Sequence, residues 1–216
     1  SATYIAISNA IFFEQVNHHK ANALKQLERL KQLNRLIKNM NTADNIHSLL
    51  ELTLDTLKIS FGYNTSFYAK HNQGVFSVCK KTGIVLDDVE FRLPEFIYQL
   101  EKGKSIISYI PDDVASTLAE IMTDNFYSSI QGMLMIPVYI DDIIPELLGI
   151  LCLFDVNKGV LATDENLLTL ETIASHIAPV VKQLTFVDVI KANYHVNYID
   201  LFKKKLQESI LEASDT

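Results

Sequence analysis

The chain of 216 residues is long enough for one domain with helical extensions, and its content of 48% hydrophobic and 21% charged residues excludes a disordered or low-complexity polypeptide. The 26 acidic and 19 basic side chains give a net charge of −7, which disfavours a general binder of nucleic acid or of anionic membranes. The 7 glycines and 5 prolines are too few turn residues for a many-stranded barrel, so we expect long helices.

The first 40 residues predict a single long helix. Neither Gly nor Pro occurs between Tyr4 and Met40, and apolar residues recur there at helical spacing. A helix of this length cannot bury its whole apolar stripe on one small domain. We therefore expect part of it to pair with the same helix of a second chain in a homodimer, through Leu30, Leu33 and Ile37.

The rest of the chain alternates between helical and strand-like periods. A second helix is predicted after the break at Asn41–Asp44 and ends near Phe61, and a last long helix begins at Thr163 with Pro179 inside it. Between them the pattern predicts a hairpin, a short helix, a strand, a helix and two apolar strands, at residues 63–69 with 75–79, 94–100, 105–110, 114–122, 132–140 and 147–156. The last two strands are apolar on both faces, so the sheet should be covered on both sides. This order predicts an α+β fold.

The two cysteines and the lack of targeting signals suggest an intracellular protein. Cys79 and Cys152 both lie in apolar runs, which predicts buried free thiols in a reducing compartment, with a single disulfide as the alternative. No apolar segment approaches the ~20 residues that span a bilayer, and no secretory leader is found. We therefore expect a cytoplasmic protein without a membrane partner. Because the chain begins at Ser1 inside a helical pattern, we expect a fragment of a longer polypeptide.

Residues from about Ile46 to Leu184 resemble the GAF domain, a small-molecule-binding sensory module of signalling proteins. The resemblance rests on the order and spacing of four segments, which are Gly103-x-Ser105-Ile106-Ile107, Met135-Ile136-Pro137-Val138, Leu148-Gly149-Ile150-Leu151 and Thr163-Asp164-Glu165. It implies a central antiparallel sheet covered on both faces, with long N- and C-terminal helices. The implied organisation is a linker helix at 1–42, a GAF domain at 43–186 and a C-terminal helical extension at 187–216.

A narrower resemblance concerns GAF domains that bind cyclic nucleotides. Their signature joins Asn-Lys to a later Phe-x-x-x-Asp-Glu, and this chain has Asn157-Lys158 and Asp164-Glu165, with Val160 in the place of Phe. One implied alternative is therefore a cyclic-nucleotide-binding domain that regulates a cyclase or a phosphodiesterase. Helix capping explains the acidic pair equally well.

A ligand pocket is expected on the sheet face opposite the two long helices. Its candidate lining combines apolar, thiol and hydroxyl side chains with two polar residues at a helix N-terminus that could receive an anion: Phe67, Cys79, Ser108, Tyr109, Phe126, Met133 and Met135, with Asp124 and Asn125. Core packing explains the same residue types equally well.

The chain carries no recognisable catalytic or metal-binding motif. It lacks a Gly-rich phosphate loop, a His-Glu-x-x-His pair, a Cys-x-x-Cys pair and a nucleophile elbow, and the sequence does not identify a cofactor. A reductase that uses Cys79 and Cys152 is the enzymatic alternative, although GAF-type methionine sulfoxide reductases depend on a larger cluster of reactive cysteines.

The leading expectation is a non-enzymatic sensory GAF domain. It would bind a small molecule and relay the change through the linker helices of a homodimer to an output domain outside this chain. A ligand-free GAF domain that serves for dimerisation and spacing is the remaining alternative.

Overall fold

The structure, a computed structural model, describes residues 2–40, 42–84, 86, 90–108, 130–155 and 164–214. Within these ranges the helices are α1 (Ala2–Met40), α2 (Ile46–Phe61), α3 (Ile97–Leu100) and α4 (Asp164–Ser214). The strands are β1 (Thr65–Asn72), β2 (Val75–Thr82), β3 (Glu90–Phe91), β4 (Ile106–Ser108), β5 (Gly132–Ile140) and β6 (Glu146–Asp155). The helix predicted at 114–122 lies outside the described residues.

The six strands form one sheet in the order β3-β2-β1-β6-β5-β4, and every neighbouring pair is antiparallel. The hairpin predicted from the first strand pair is confirmed, with Gln73 and Gly74 at its turn, both at positive φ. β5 and β6, the two strongly apolar strands, lie towards the centre of the sheet. The predicted α+β architecture, an antiparallel sheet with long terminal helices, is confirmed.

One face of the sheet is covered by α2, α4 and the end of α1. The helix α2 begins after Asn45, whose side chain accepts a hydrogen bond from the Ser48 N–H at 2.9 Å. A continuous core joins buried side chains of the three helices to the sheet, among them Leu36, Met40, Leu49, Leu54, Leu57, Tyr68, Leu134, Ile136, Leu151, Leu170, Ile173, Ile177 and Val181. We call this set the helix-face core.

The opposite face of the sheet carries a second core. Its members come from the strands and from the described segments between β2 and β4, and they include Phe67, Phe76, Leu86, Phe91, Leu93, Leu100, Met133, Met135, Ile150, Cys152 and Phe154. We call this set the far-face core. Burial on both faces confirms the prediction from the apolar character of β5 and β6.

The helix α4 is longer and more apolar than the sequence led us to expect. It runs without a break from Asp164 through the predicted boundary at residue 187 to Ser214. The part Asn166–Ala192 has a mean hydropathy of 1.3 in its most apolar stretch. By length and composition alone, this part of the helix could cross a membrane, which corrects the expectation that no apolar segment approached the necessary length. In this fold α4 packs on β5 through its buried residues, but only 28% of that stretch is buried, and Phe186, Val189 and Ile190 are exposed.

Candidate functional site

The structure brings together part of the predicted ligand site. Phe67, Met133 and Met135 are fully buried in the far-face core. Phe67 packs edge-on against Phe91, with ring centroids 6.0 Å apart. Ser108, half-buried on β4, lies directly opposite Met133 on β5 and so belongs to the same face. These four residues therefore lie on one face of the sheet, as three buried apolar side chains and one half-buried hydroxyl group.

Most of the other residues predicted for the ligand site and the nucleotide motif lie outside the part of the chain that the structure describes. Tyr109, Asp124, Asn125 and Phe126, together with Asn157 and Lys158 of the nucleotide motif, lie outside the described residues. Asp164 and Glu165, the acidic end of that motif, are the first two residues of α4. The predicted start of this helix is thereby confirmed to within one residue.

Cys79 is exposed, which corrects the prediction that both thiols are buried. The pairing of β1 with β2 shifts register so that Tyr68 faces Lys80 and Ala69 faces Val78, which leaves Cys79 as the extra residue of a bulge. Its Sγ lies 3.4 Å from the Ser77 carbonyl oxygen, and the residue belongs to neither core. The prediction depended on the apolar run around Cys79, which does not reveal this bulge.

Cys152 is buried in the far-face core, and this burial raises the pKa of its thiol. β1 lies between the strands that carry the two cysteines. Two strand spacings place their Cα atoms roughly 10 Å apart, beyond the limit of about 7 Å for a disulfide. The two thiols therefore cannot bridge in this fold, and the alternative of a disulfide between them is wrong.

Thiol labelling should separate the two cysteines. In the native protein N-ethylmaleimide should modify Cys79 only, because alkylation needs an accessible thiolate and Cys152 has neither access nor a favourable pKa. Cys152 should react at least about a thousandfold more slowly, because its thiol becomes accessible only when the domain unfolds globally. Mass spectrometry checks this result, with Cys79→Ser as the control that should stay unmodified. Two adducts formed at similar rates would contradict the placement of Cys152.

A cavity that sequence reasoning missed lies on the helix face, between the β4–β5 edge of the sheet and α4. It has a volume of about 450 Å³ and is lined by Gly103, Ser105, Ile136, Pro137, Tyr139, Ile140, Asp141, Glu171, Ser175 and Pro179. The Ser105 hydroxyl donates to the Glu171 carboxylate at 2.7 Å and so joins the loop before β4 to α4. The sequence did contain one indication of this cavity, since Pro179 lies inside an apolar helix and such a proline often marks a functional bend. No local sequence pattern relates Glu171 to Ser105.

The predicted dimer contacts differ in their surroundings. Leu30 is 56% exposed, whereas Leu33 packs against the helix-face core and Ile37 lines a groove between α1 and α4. Further exposed apolar residues continue along α1 and along α4 beyond the sheet, namely Ile11, Phe12, Phe13, Val16, Leu24, Leu27, Phe186, Val189 and Ile190. Both terminal helices therefore combine a part anchored in the domain with an exposed apolar part.

Comparison with known proteins gives structural matches only. No protein-family model and no curated protein sequence matches the chain. The chain is similar to the GAF domain of a phosphoenolpyruvate-protein phosphotransferase from Coxiella burnetii, with a TM-score of 0.60 and 19% identity over 76% of this chain and 98% of that one. It is similar to the GAF domain of a two-component sensor histidine kinase from Bacillus halodurans, with a TM-score of 0.56 and 14% identity over 68% of this chain and 99% of that one.

An enzyme is also among the structural matches. A free methionine-R-sulfoxide reductase from Neisseria meningitidis, solved with its substrate, matches with a TM-score of 0.59 and 13% identity over 74% of this chain and 91% of that one. Identities this low establish a shared fold and do not transfer an activity. The antiparallel sheet, its two cores and these matches together show that the chain has a GAF-like fold.

Proposed function

We propose that this chain is a sensory GAF domain that binds a small molecule and relays the binding event through its two terminal helices. The observation that carries the proposal is the continuity of both helices with the domain core. Leu36 and Met40 anchor the end of α1 in the helix-face core, while the preceding part of α1 exposes an apolar stripe. In α4, Leu170 and Val181 are buried, while Phe186 and Ile190 are exposed.

This arrangement suits a mechanical relay. A helix whose core-facing side chains are close-packed transmits a small shift of the domain as a rigid body. α1 has 39 residues and α4 has 51, lengths of about 58 Å and 76 Å. The exposed stripes would pair with a second copy of the chain, so that a shift in each domain changes the geometry of the helical dimer. The sensor kinase with a similar GAF domain supports a role in signalling.

We assign the small-molecule site to the far face of the sheet, between β4 and β5. Met133 and Met135 provide an adaptable apolar surface there, and Ser108 provides a hydroxyl group. The candidate ligands are a cyclic nucleotide and another small metabolite. The proposal places the domain in the cytoplasm, where reducing conditions keep Cys79 and Cys152 as free thiols.

A combined binding and cross-linking experiment tests the proposal. Cyclic AMP, cyclic GMP and a metabolite panel are screened by thermal shift, and a ligand at a hundred times its Kd should raise Tm by about 5–10 °C. The dimer geometry is then followed in the double variant Cys79→Ser with Leu27→Cys, through the rate of disulfide cross-linking between the introduced thiols of two protomers.

The proposal predicts that a ligand which raises Tm also changes the cross-linking rate. A rise in Tm with an unchanged rate would contradict the relay. If no compound raises Tm while the protein is dimeric, the ligand-free spacer is the better description.

A further inference from the structure

The cavity on the helix face is a candidate binding site distinct from the far-face site. Its volume of about 450 Å³ lies within the range of small-molecule pockets. The cavity forms where β4 ends, because β4 pairs only with Met133–Met135 of β5. The following residues of β5 lie beside the loop at Gly103 and Ser105 and not beside another strand of the described sheet. α4 closes the opposite side with Glu171, Ser175 and Pro179.

Two acidic side chains line the cavity. Among the residues that the structure describes, the lining includes the carboxylates of Asp141 and Glu171 and no Lys, Arg or His. Glu171 accepts a hydrogen bond from Ser105, which holds its carboxylate in place. Among the described residues neither carboxylate forms an ion pair, whereas Glu51 pairs with Lys80 and Glu146 with Lys182.

Pro179 adds a hydrogen-bond acceptor to the same wall. In a regular helix the Ser175 carbonyl oxygen would accept a hydrogen bond from the N–H of residue 179, and proline has none. Ser175 and Pro179 both line the cavity. The Ser175 hydroxyl donates its hydrogen bond to the Thr172 carbonyl group and not to the Ser175 carbonyl oxygen. The α4 wall therefore combines the Glu171 carboxylate with a carbonyl oxygen that receives no hydrogen bond from the residue four positions later.

Much of the remaining lining is hydrocarbon, which favours an organic ligand over a metal ion. Ile140 and Pro179 offer hydrocarbon surface beside the acceptors. No group of three or more His, Cys, Asp or Glu suited to a metal ion occurs in the part of the chain that the structure describes. We propose that this cavity binds a small organic cation, with its ammonium group at Glu171, Asp141 and the Ser175 carbonyl oxygen and its hydrocarbon part against Ile140 and Pro179.

Calorimetry with ammonium probes tests this assignment. The probes are butylammonium, cyclohexylammonium, phenethylammonium and 1,4-diaminobutane, and 2-phenylethanol is the neutral analogue of the third. At least one ammonium probe should bind saturably, and phenethylammonium should bind more tightly than its alcohol. Glu171→Gln keeps the side-chain shape and the bond from Ser105, and it should weaken cation binding about tenfold.

Two further variants make the test specific. Glu28→Gln changes the net charge equally at an exposed position on α1 and should leave the affinity unchanged. Pro179→Ala supplies the missing N–H to the Ser175 carbonyl group and should weaken binding about threefold without loss of stability, because alanine favours a helix interior. No saturable binding by any of the four cations, or equal affinity in Glu171→Gln, would overturn the assignment. Either result leaves the far-face site and the helical relay untouched.

Discussion

Replacing Leu24, Leu27 and Leu30 together by Glu should convert the proposed dimer into a monomer. Each leucine is exposed on α1, and the proposed dimer would bury all three against the partner helix. Loss of roughly 1.5–3 kcal/mol for each buried leucine, with three like charges brought together, should raise the dimer dissociation constant at least about a thousandfold. Light scattering should show a mass that falls from twice 24.4 kDa to 24.4 kDa.

A matched control separates the apolar stripe from charge alone. Lys20, Lys31 and Lys38 are exposed on the same helix, and their replacement by Gln changes the net charge by the same three units. This variant should remain a dimer. Leu33 and Ile37 are poor positions for the test, because they pack against the domain and charges there would also destabilise the monomer. A wild-type mass of 24.4 kDa, or a dimer that survives the three glutamates, would contradict pairing through α1.

Gly149→Ala should strongly destabilise the domain. Gly149 lies on β6 between β1 and β5. A Cβ atom there would lie 2.4 Å from the Ala69 carbonyl oxygen and 2.5 Å from the Tyr68 hydroxyl. Because one of these contacts is with backbone inside the sheet, relief requires the strands to separate. We expect a loss of about 3 kcal/mol in the free energy of unfolding, measured by urea denaturation.

Two comparison variants test the cause. Gly74→Ala should cost only about 1 kcal/mol, because Gly74 has a positive φ but no atom within 4 Å of the added Cβ. Tyr68→Phe removes the hydroxyl contact at 2.5 Å, keeps the ring carbon Cζ at 2.7 Å, and also removes the bond from the Tyr68 hydroxyl to the Leu148 carbonyl group. The double variant should therefore be somewhat more stable than the sum of the single effects predicts. Strict additivity would show that the clash with the Tyr68 hydroxyl is not part of the cause.

The close approach of β6 to β1 at Gly149 also matters for the core, because it accommodates Tyr68. Its ring is fully buried in the helix-face core, and burial, with a smaller effect of the Cys79 charge, raises the pKa of its hydroxyl above the usual range. The hydroxyl satisfies its hydrogen bond only because β6 approaches closely at Gly149. The glycine thus allows a large polar aromatic side chain to sit at the centre of the sheet.

The sequence by itself determined most of the elements and their order, but not the short strand β3. Local periodicity marked α1, α2, the β1–β2 hairpin and the start of α4, because helices and strands impose repeats that short-range spacing reveals. The apolar character of both faces of β5 and β6 predicted two cores. The resemblance to GAF domains rested on this order and agrees with the observed fold.

Only the tertiary structure decided which of these residues meet. The bulge that exposes Cys79 depends on how β2 pairs with β1, and the different surroundings of Leu30 and Leu33 depend on where α1 leaves the domain. The acidic cavity joins Ser105 to Glu171, 66 positions apart in sequence. Such contacts arise from long-range packing, which leaves no periodic trace in the chain, so the candidate sites had to be located from the fold.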